Sequence, residues 1–89
     1  MACIDIDSLA QYEQDAKAGR ADALYNLGLA YSTGQGVTVD MVAAHKWFNL
    51  AALKGRADAI SMRQEVAAMM SEAEIAAAQR EARAWMTAH

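Results

Sequence analysis

Gly19-Arg-Ala-Asp-Ala23 and Gly55-Arg-Ala-Asp-Ala59 are the same five residues, 36 positions apart in a chain of 89. A pentapeptide returning at that interval marks a helical repeat array, in which each repeat is a helix pair that hides its apolar side only by stacking on its neighbour. The same shift also lays Tyr12 on Phe48 and Ala16 on Ala52. The chain therefore divides into a half repeat over 7–18, a full repeat over 19–54, a modified half repeat over 55–70 and a capping helix over 71–88, all within a single domain, 1–89. Arrays generally need about three repeats for stability, so this one is expected to lean on its caps or on self-association.

Five helical segments follow from the spacing. The first runs from about Asp7 to Ala18, with Ser8 and Gln11 at capping-box spacing, Leu9, Tyr12 and Ala16 on one face, and Gly19 as its stop. The second covers Ala21 to Thr33, with Leu24, Leu27, Gly28 and Tyr31 at helical intervals. A glycine inside a helix costs about 1 kcal/mol against alanine, so Gly28 is expected where a neighbouring helix packs against bare backbone. Gly34 and Gly36 break this helix. Asp40 is the expected N-cap of the third, whose stripe is Ala44, Trp47, Phe48, Ala51 and Ala52, and Gly55 ends it. The fourth, about Ala57 to Met70, has Arg63, Gln64 and Ala67 where the second has Leu27, Gly28 and Tyr31, so the repeat is being closed off. Ser71 and Glu74 form a second capping box. Ile75, Ala78, Ala82, Trp85, Met86 and His89 mark one face of the terminal helix, with Arg80, Glu81 and Arg83 mostly off it.

Composition agrees with an all-α protein: 55% apolar residues rich in alanine, one Phe and no Pro. The net charge is −3 with the signs interspersed, which speaks against nucleic acid as a partner. Cys3 is the single cysteine, so no intrachain disulfide forms. Residues 1–8 carry two aspartates and no basic stretch before an apolar core, and no apolar run reaches membrane-spanning length. Without such signals the default expectation is a cytoplasmic location with no membrane span.

Few residues here suggest chemistry. His45 has no second His, Cys or carboxylate three or four residues on, so a solvated helix-face histidine is expected rather than a metal ligand. His89 is terminal. Asp5 and Asp7 alternate with Ile4 and Ile6 but lack the loop ligands of a calcium motif, and acids at a helix start favour the positive end of its dipole. Gly34-Gln-Gly36 lacks the Lys and Ser/Thr of a phosphate loop and is a tight interhelix turn. Ser8, Ser32, Ser61 and Ser71 lead, three residues on, to Gln11, Gln35, Gln64 and Glu74, so no Ser-x-x-Lys nucleophile is present. No triad set stands out either. Tyr12, Tyr31, Trp47, Phe48 and Trp85 all fall on apolar stripes and are expected in the core. Met62, Met69 and Met70 hint at an adaptable contact surface. No catalytic residue, metal or cofactor is expected.

The segment Gly19-Arg-Ala-Asp-Ala-Leu-Tyr-Asn-Leu-Gly28, followed by Tyr31, Gly34, Gly36, Val37, Asp40, Ala44, Trp47, Phe48, Ala51, Ala52 and Gly55, resembles a Sel1-like repeat. The stretch Ser71 to Trp85 is similar to the closing segment of many bacterial members of that family. The resemblance implies a short right-handed α-solenoid of antiparallel helix pairs, related to tetratricopeptide repeats and used mainly as an adaptor between proteins. It implies no reaction and no cofactor. With the family's geometry, the inner face consists of Asp22, Tyr25, Leu29 and Ser32 and the corresponding Asp58, Ser61 and Glu65, which would hold a peptide or partner protein. Tyr25 and Leu29 supply apolar contact there, and the others hydrogen-bond or select a basic partner. Gly19, Leu27, Gly28, Tyr31, Gly34, Gly36, Asp40, Ala44, Trp47, Phe48, Ala52, Gly55 and Trp85 carry the structural pattern. Self-association as a homodimer is the alternative, and a hydrolase or carrier of the β-lactam-binding type, known among cysteine-rich members, is a remote third.

Overall fold

Gly19, Gly34, Gly36 and Gly55 interrupt an otherwise helix-forming sequence, and in the computed structural model, which describes residues 6–88, all four lie in turns between helices. The five helices are α1 (Ile6–Lys17), α2 (Ala21–Thr33), α3 (Met41–Leu53), α4 (Asp58–Ala67) and α5 (Glu72–Ala88), with no strand among the described residues. The fold is all-α and solenoid-like, as expected. Two spans differ from the sequence expectation. α1 is already under way at Ile6, so Ser8 lies inside the helix and the Gln11 amide donates instead to Asp15 Oδ1 at 3.1 Å. α4 stops at Ala67, where Met69 N–H and Met70 N–H donate to the carbonyls of Val66 and Ala67 in a tight turn.

Helix ends obey local chemistry. Asp40 Oδ1 accepts the Ala43 N–H at 3.1 Å and caps α3. Ser71 and Glu74 form the full reciprocal box: Ser71 N–H donates to Glu74 Oε1 at 2.8 Å and Glu74 N–H donates to Ser71 Oγ at 3.1 Å. α2 ends on Gly34 in the left-handed region (φ 76°), whose N–H donates to Ala30 O at 2.8 Å. The loop after it is pulled back by Asp40 N–H donating to Tyr31 O at 2.9 Å.

α3 is the hub, packing on α2, α4 and α5, while α1 packs on α2. Phe48, Leu24, Leu27 and Leu50 are the largest wholly buried side chains. The neighbouring helix packed on the bare backbone of Gly28 is α3, through its Phe48 ring: a Cβ there would stand 2.6 Å from two ring carbons. Ala44 and Ala51 are also wholly buried, Trp47 nearly so, and Ala52, Tyr12, Tyr31 and Trp85 pack half-buried against this core. Trp47 meets Trp85 edge-to-face at 5.7 Å and 81°, which pins α5 to α3.

Three side chains depart from expectation. His45 is buried, at 4% exposure, where a solvated histidine was expected. The stripe argument assumes one packed face per helix, but α3 is covered from three sides and has little solvated face left. Met86, expected on the apolar side of α5, is 46% exposed. It borders a surface cleft lined by Lys17, Ala18, Gly19, Lys54 and Trp85. Arg63, standing where Leu27 stands one repeat earlier, is half-buried and donates from Nη1 to Asn49 Oδ1 at 2.6 Å, so α4 is tied to α3 by a polar contact in place of an apolar one. Cys3, Asp5 and His89 lie outside the described residues, as do the side chains of Ile6 and Asp7.

Candidate partner-binding surface

The repeated pentapeptide begins at a helix end. Gly55, in the left-handed region (φ 103°), follows α3, and its N–H donates to Ala52 O at 3.1 Å while Arg56 N–H donates to Ala51 O at 3.0 Å. Gly19 (φ 83°) and Arg20 make the same pair of bonds, to Ala16 O at 2.9 Å and Asp15 O at 3.1 Å. This Schellman closure turns the chain sharply and delivers the arginine at the start of the next helix.

Arg56 uses that position to join two repeats. Its Nε donates to Asp58 Oδ1 at 2.9 Å and its Nη2 to Asp58 Oδ2 at 3.2 Å, a fork-to-fork pairing. The remaining arm, Nη1, donates to Asp22 Oδ1 at 2.9 Å on α2. The guanidinium also lies 3.9 Å from the Tyr25 ring centroid, and Tyr25 in turn meets Phe48 edge-on at 5.5 Å and 63°. The hydrogen bond from Arg56 holds the Asp58 carboxyl below its ordinary range. Residues 36 apart in sequence, Asp22 and Asp58, are thereby brought to one cation. Asp22 remains largely open to solvent, with 86% of its side chain exposed.

The other expected contact residues are placed less uniformly. Tyr25 and Leu29 are half-buried and packed against the core. Ser32 Oγ is spent on its own helix, donating to Leu29 O at 3.1 Å. Ser61 and Glu65 are exposed on α4. The open part of the expected set is therefore Asp22, Asp58, Ser61 and Glu65, an acidic margin along α2 and α4. Arg56, which organises it, was not singled out from the sequence, although it stands inside the repeated pentapeptide.

Among the described residues, His45 on α3 is the buried titratable group. His45 is pushed below its ordinary value by burial first and by the Arg63 charge second, and its Nδ1 makes no hydrogen bond, so the ring is neutral at pH 7. Trp47 Nε1 is likewise buried without a partner. Burial also lowers Lys46, whose Nζ lies 4.1 Å from the Trp47 ring centroid. Among the described residues no three His, Cys, Asp or Glu side chains are grouped to hold a metal ion, and no helix is long and apolar enough to cross a membrane.

The model of the Sel1 repeat family matches residues 21–55, from the first residue of α2 through the interhelix loop and α3 to the glycine that closes it. Residues 21–55 form a Sel1 repeat. The similarity of the chain extends to the alginate biosynthesis protein AlgK of Azotobacter vinelandii, at 39% identity over 59 residues, which make up 66% of this chain and 13% of that protein. The chain thus spans only a small part of that relative's length. Sel1 repeats mediate interactions between proteins. In this one the family's helix pair is α2 and α3, and Gly28 against Phe48 is the contact that closes it.

Proposed function

We propose that this protein is a non-enzymatic adaptor that holds a basic peptide or partner helix along the acidic margin of α2 and α4. The observation that carries it is the Arg56 bridge: with Asp22 and Asp58 on one guanidinium, corresponding positions of successive repeats stand side by side and present one surface. Asp22, Asp58 and Glu65 favour cationic partners, and Ser61 adds a hydrogen-bonding group. Tyr25 and Leu29 contribute only their exposed edges, because their bulk belongs to the core. Immobilised chain should capture partners from a lysate that the Glu65→Lys, Ser61→Ala double variant does not, with both forms equally helical by circular dichroism. Identical capture by both would count against this surface.

Self-association remains the second reading, favoured by Leu53 (60% exposed) and Met69 (65% exposed) on the surface of so small an array. Solution mass by light scattering over a concentration series tests it directly: one mass at every concentration rejects it.

A further inference from the structure

The groove at the N-terminal end of the array, about 340 Å³ and lined by Tyr12, Asp15, Arg20, Asp22 and Asn26 with Ala21 and Ala23, has a counterpart inside the molecule. Shifted by 36 residues, Tyr12, Arg20 and Asp22 become Phe48, Arg56 and Asp58. That second surface is covered by α2: Phe48 meets Gly28 and Tyr25, and Arg56 meets Asp22 and Tyr25. Over the first surface no helix of the described residues lies. Arg20 is exposed and makes no ion pair among them, although it leaves the same Schellman turn as Arg56.

From this internal comparison we infer that the groove beside α1 and α2 seats a helix of α2's own chemistry, Asp-x-x-aromatic-x-x-Gly, presented by another protein. The acid of that helix pairs with Arg20 as Asp22 pairs with Arg56. Its aromatic ring lies under the same guanidinium, and its glycine admits the Tyr12 ring as Gly28 admits Phe48. A second copy of this chain does not offer such a helix. Its α2 is packed on its own α3 with Asp22 held by Arg56, and α4 has Ser61 and Gln64 where the aromatic and the glycine are required. Of the lining residues three differ from their counterparts: Tyr12 stands for Phe48, Asn26 for Met62, and Asp15 for Ala51, which is wholly buried. The Asp15 carboxylate has one hydrogen bond, from Gln11, so a seated helix pays a desolvation cost there that Ala51 does not impose.

The test uses the full chain and a fluorescein-labelled peptide of residues 20–34, held helical by a staple on the face opposite Asp22 and Tyr25, since so short a helix is marginal alone. Fluorescence anisotropy should give saturable binding that a scrambled peptide does not reproduce. Arg20→Glu in the chain should weaken it about tenfold, the scale of a lost charge-assisted pair, and Asp22→Arg in the peptide should restore it with that variant. Asp15→Ala should tighten it, and Glu65→Lys should leave it unchanged, which separates this groove from the α2 and α4 margin. No saturation, equal binding of the scrambled peptide, or indifference to Arg20→Glu would overturn the inference. So would a dimer in light scattering that Arg20→Glu dissolves, because a second copy would then hold the groove.

Discussion

Phe48 and Gly28 are in contact so close that any side chain at position 28 must displace the ring: two of its carbons stand 2.6 Å from where a Cβ would be. The ring itself is wholly buried, so it can yield only by displacing its neighbours. Gly28→Ala gains about 1 kcal/mol of helix propensity but forces overpacking that typically costs about 1–3 kcal/mol. We expect a net loss of stability in urea unfolding. Adding Phe48→Leu to Gly28→Ala should cost less than Phe48→Leu costs alone, since the two changes share one space.

His45 makes stability depend on pH near neutrality. Its folded-state pKa lies below the ordinary 6.5, with burial the leading cause. Above that value the ring is neutral in both states and stability is at its full level. As pH falls through 6.5 the unfolded chain takes up a proton that the folded chain resists, so stability declines until the lower folded value is passed. Urea midpoints for the wild type should drop between pH 7.5 and pH 5.5, while His45→Leu should show a smaller drop. Equal slopes in both would remove His45 as the cause.

Ser71 and Glu74 bond each other's backbone N–H groups at the start of α5. Ser71→Ala removes one acceptor and is expected to cost about 1 kcal/mol in equilibrium unfolding. Glu74→Gln keeps an oxygen for the Ser71 N–H and should cost much less, because glutamine serves the same position in the capping box. A larger loss for Glu74→Gln than for Ser71→Ala would show that the negative charge, not the hydrogen bond, matters most.

Trp85 anchors the terminal helix through Trp47. Trp85→Ala should destabilise by about 2 kcal/mol, below the value for a fully buried tryptophan because the side chain is half-exposed. Amide exchange should rise first in α5, with the α2 and α3 amides staying protected, since α5 packs mainly on α3. Uniform acceleration across all five helices would instead mean that the chain opens as a single unit.

The sequence alone determined the helices and their period, because both are set locally. Gly34 supplies a left-handed closure, Asp40 and the Ser71 and Glu74 pair supply caps, and the repeated pentapeptide encodes one turn twice. The Sel1 pattern was legible for the same reason, since its markers are glycines and small residues at fixed intervals. Ser8 misled because a capping-box spacing inside a running helix looks the same in one dimension as one at its start. Tertiary structure alone decided the surroundings of each side chain. His45 is buried because α3 is enclosed by three helices, a fact that no single-helix periodicity contains. Met86 is exposed at the edge of a surface cleft beside Gly19 and Lys54, although its neighbour Trp85 packs on Trp47. Arg56 became the centre of the candidate surface because stacking on α3 brings the first turn of α2 to the first turn of α4, so that two carboxylates and an aromatic ring converge on one guanidinium.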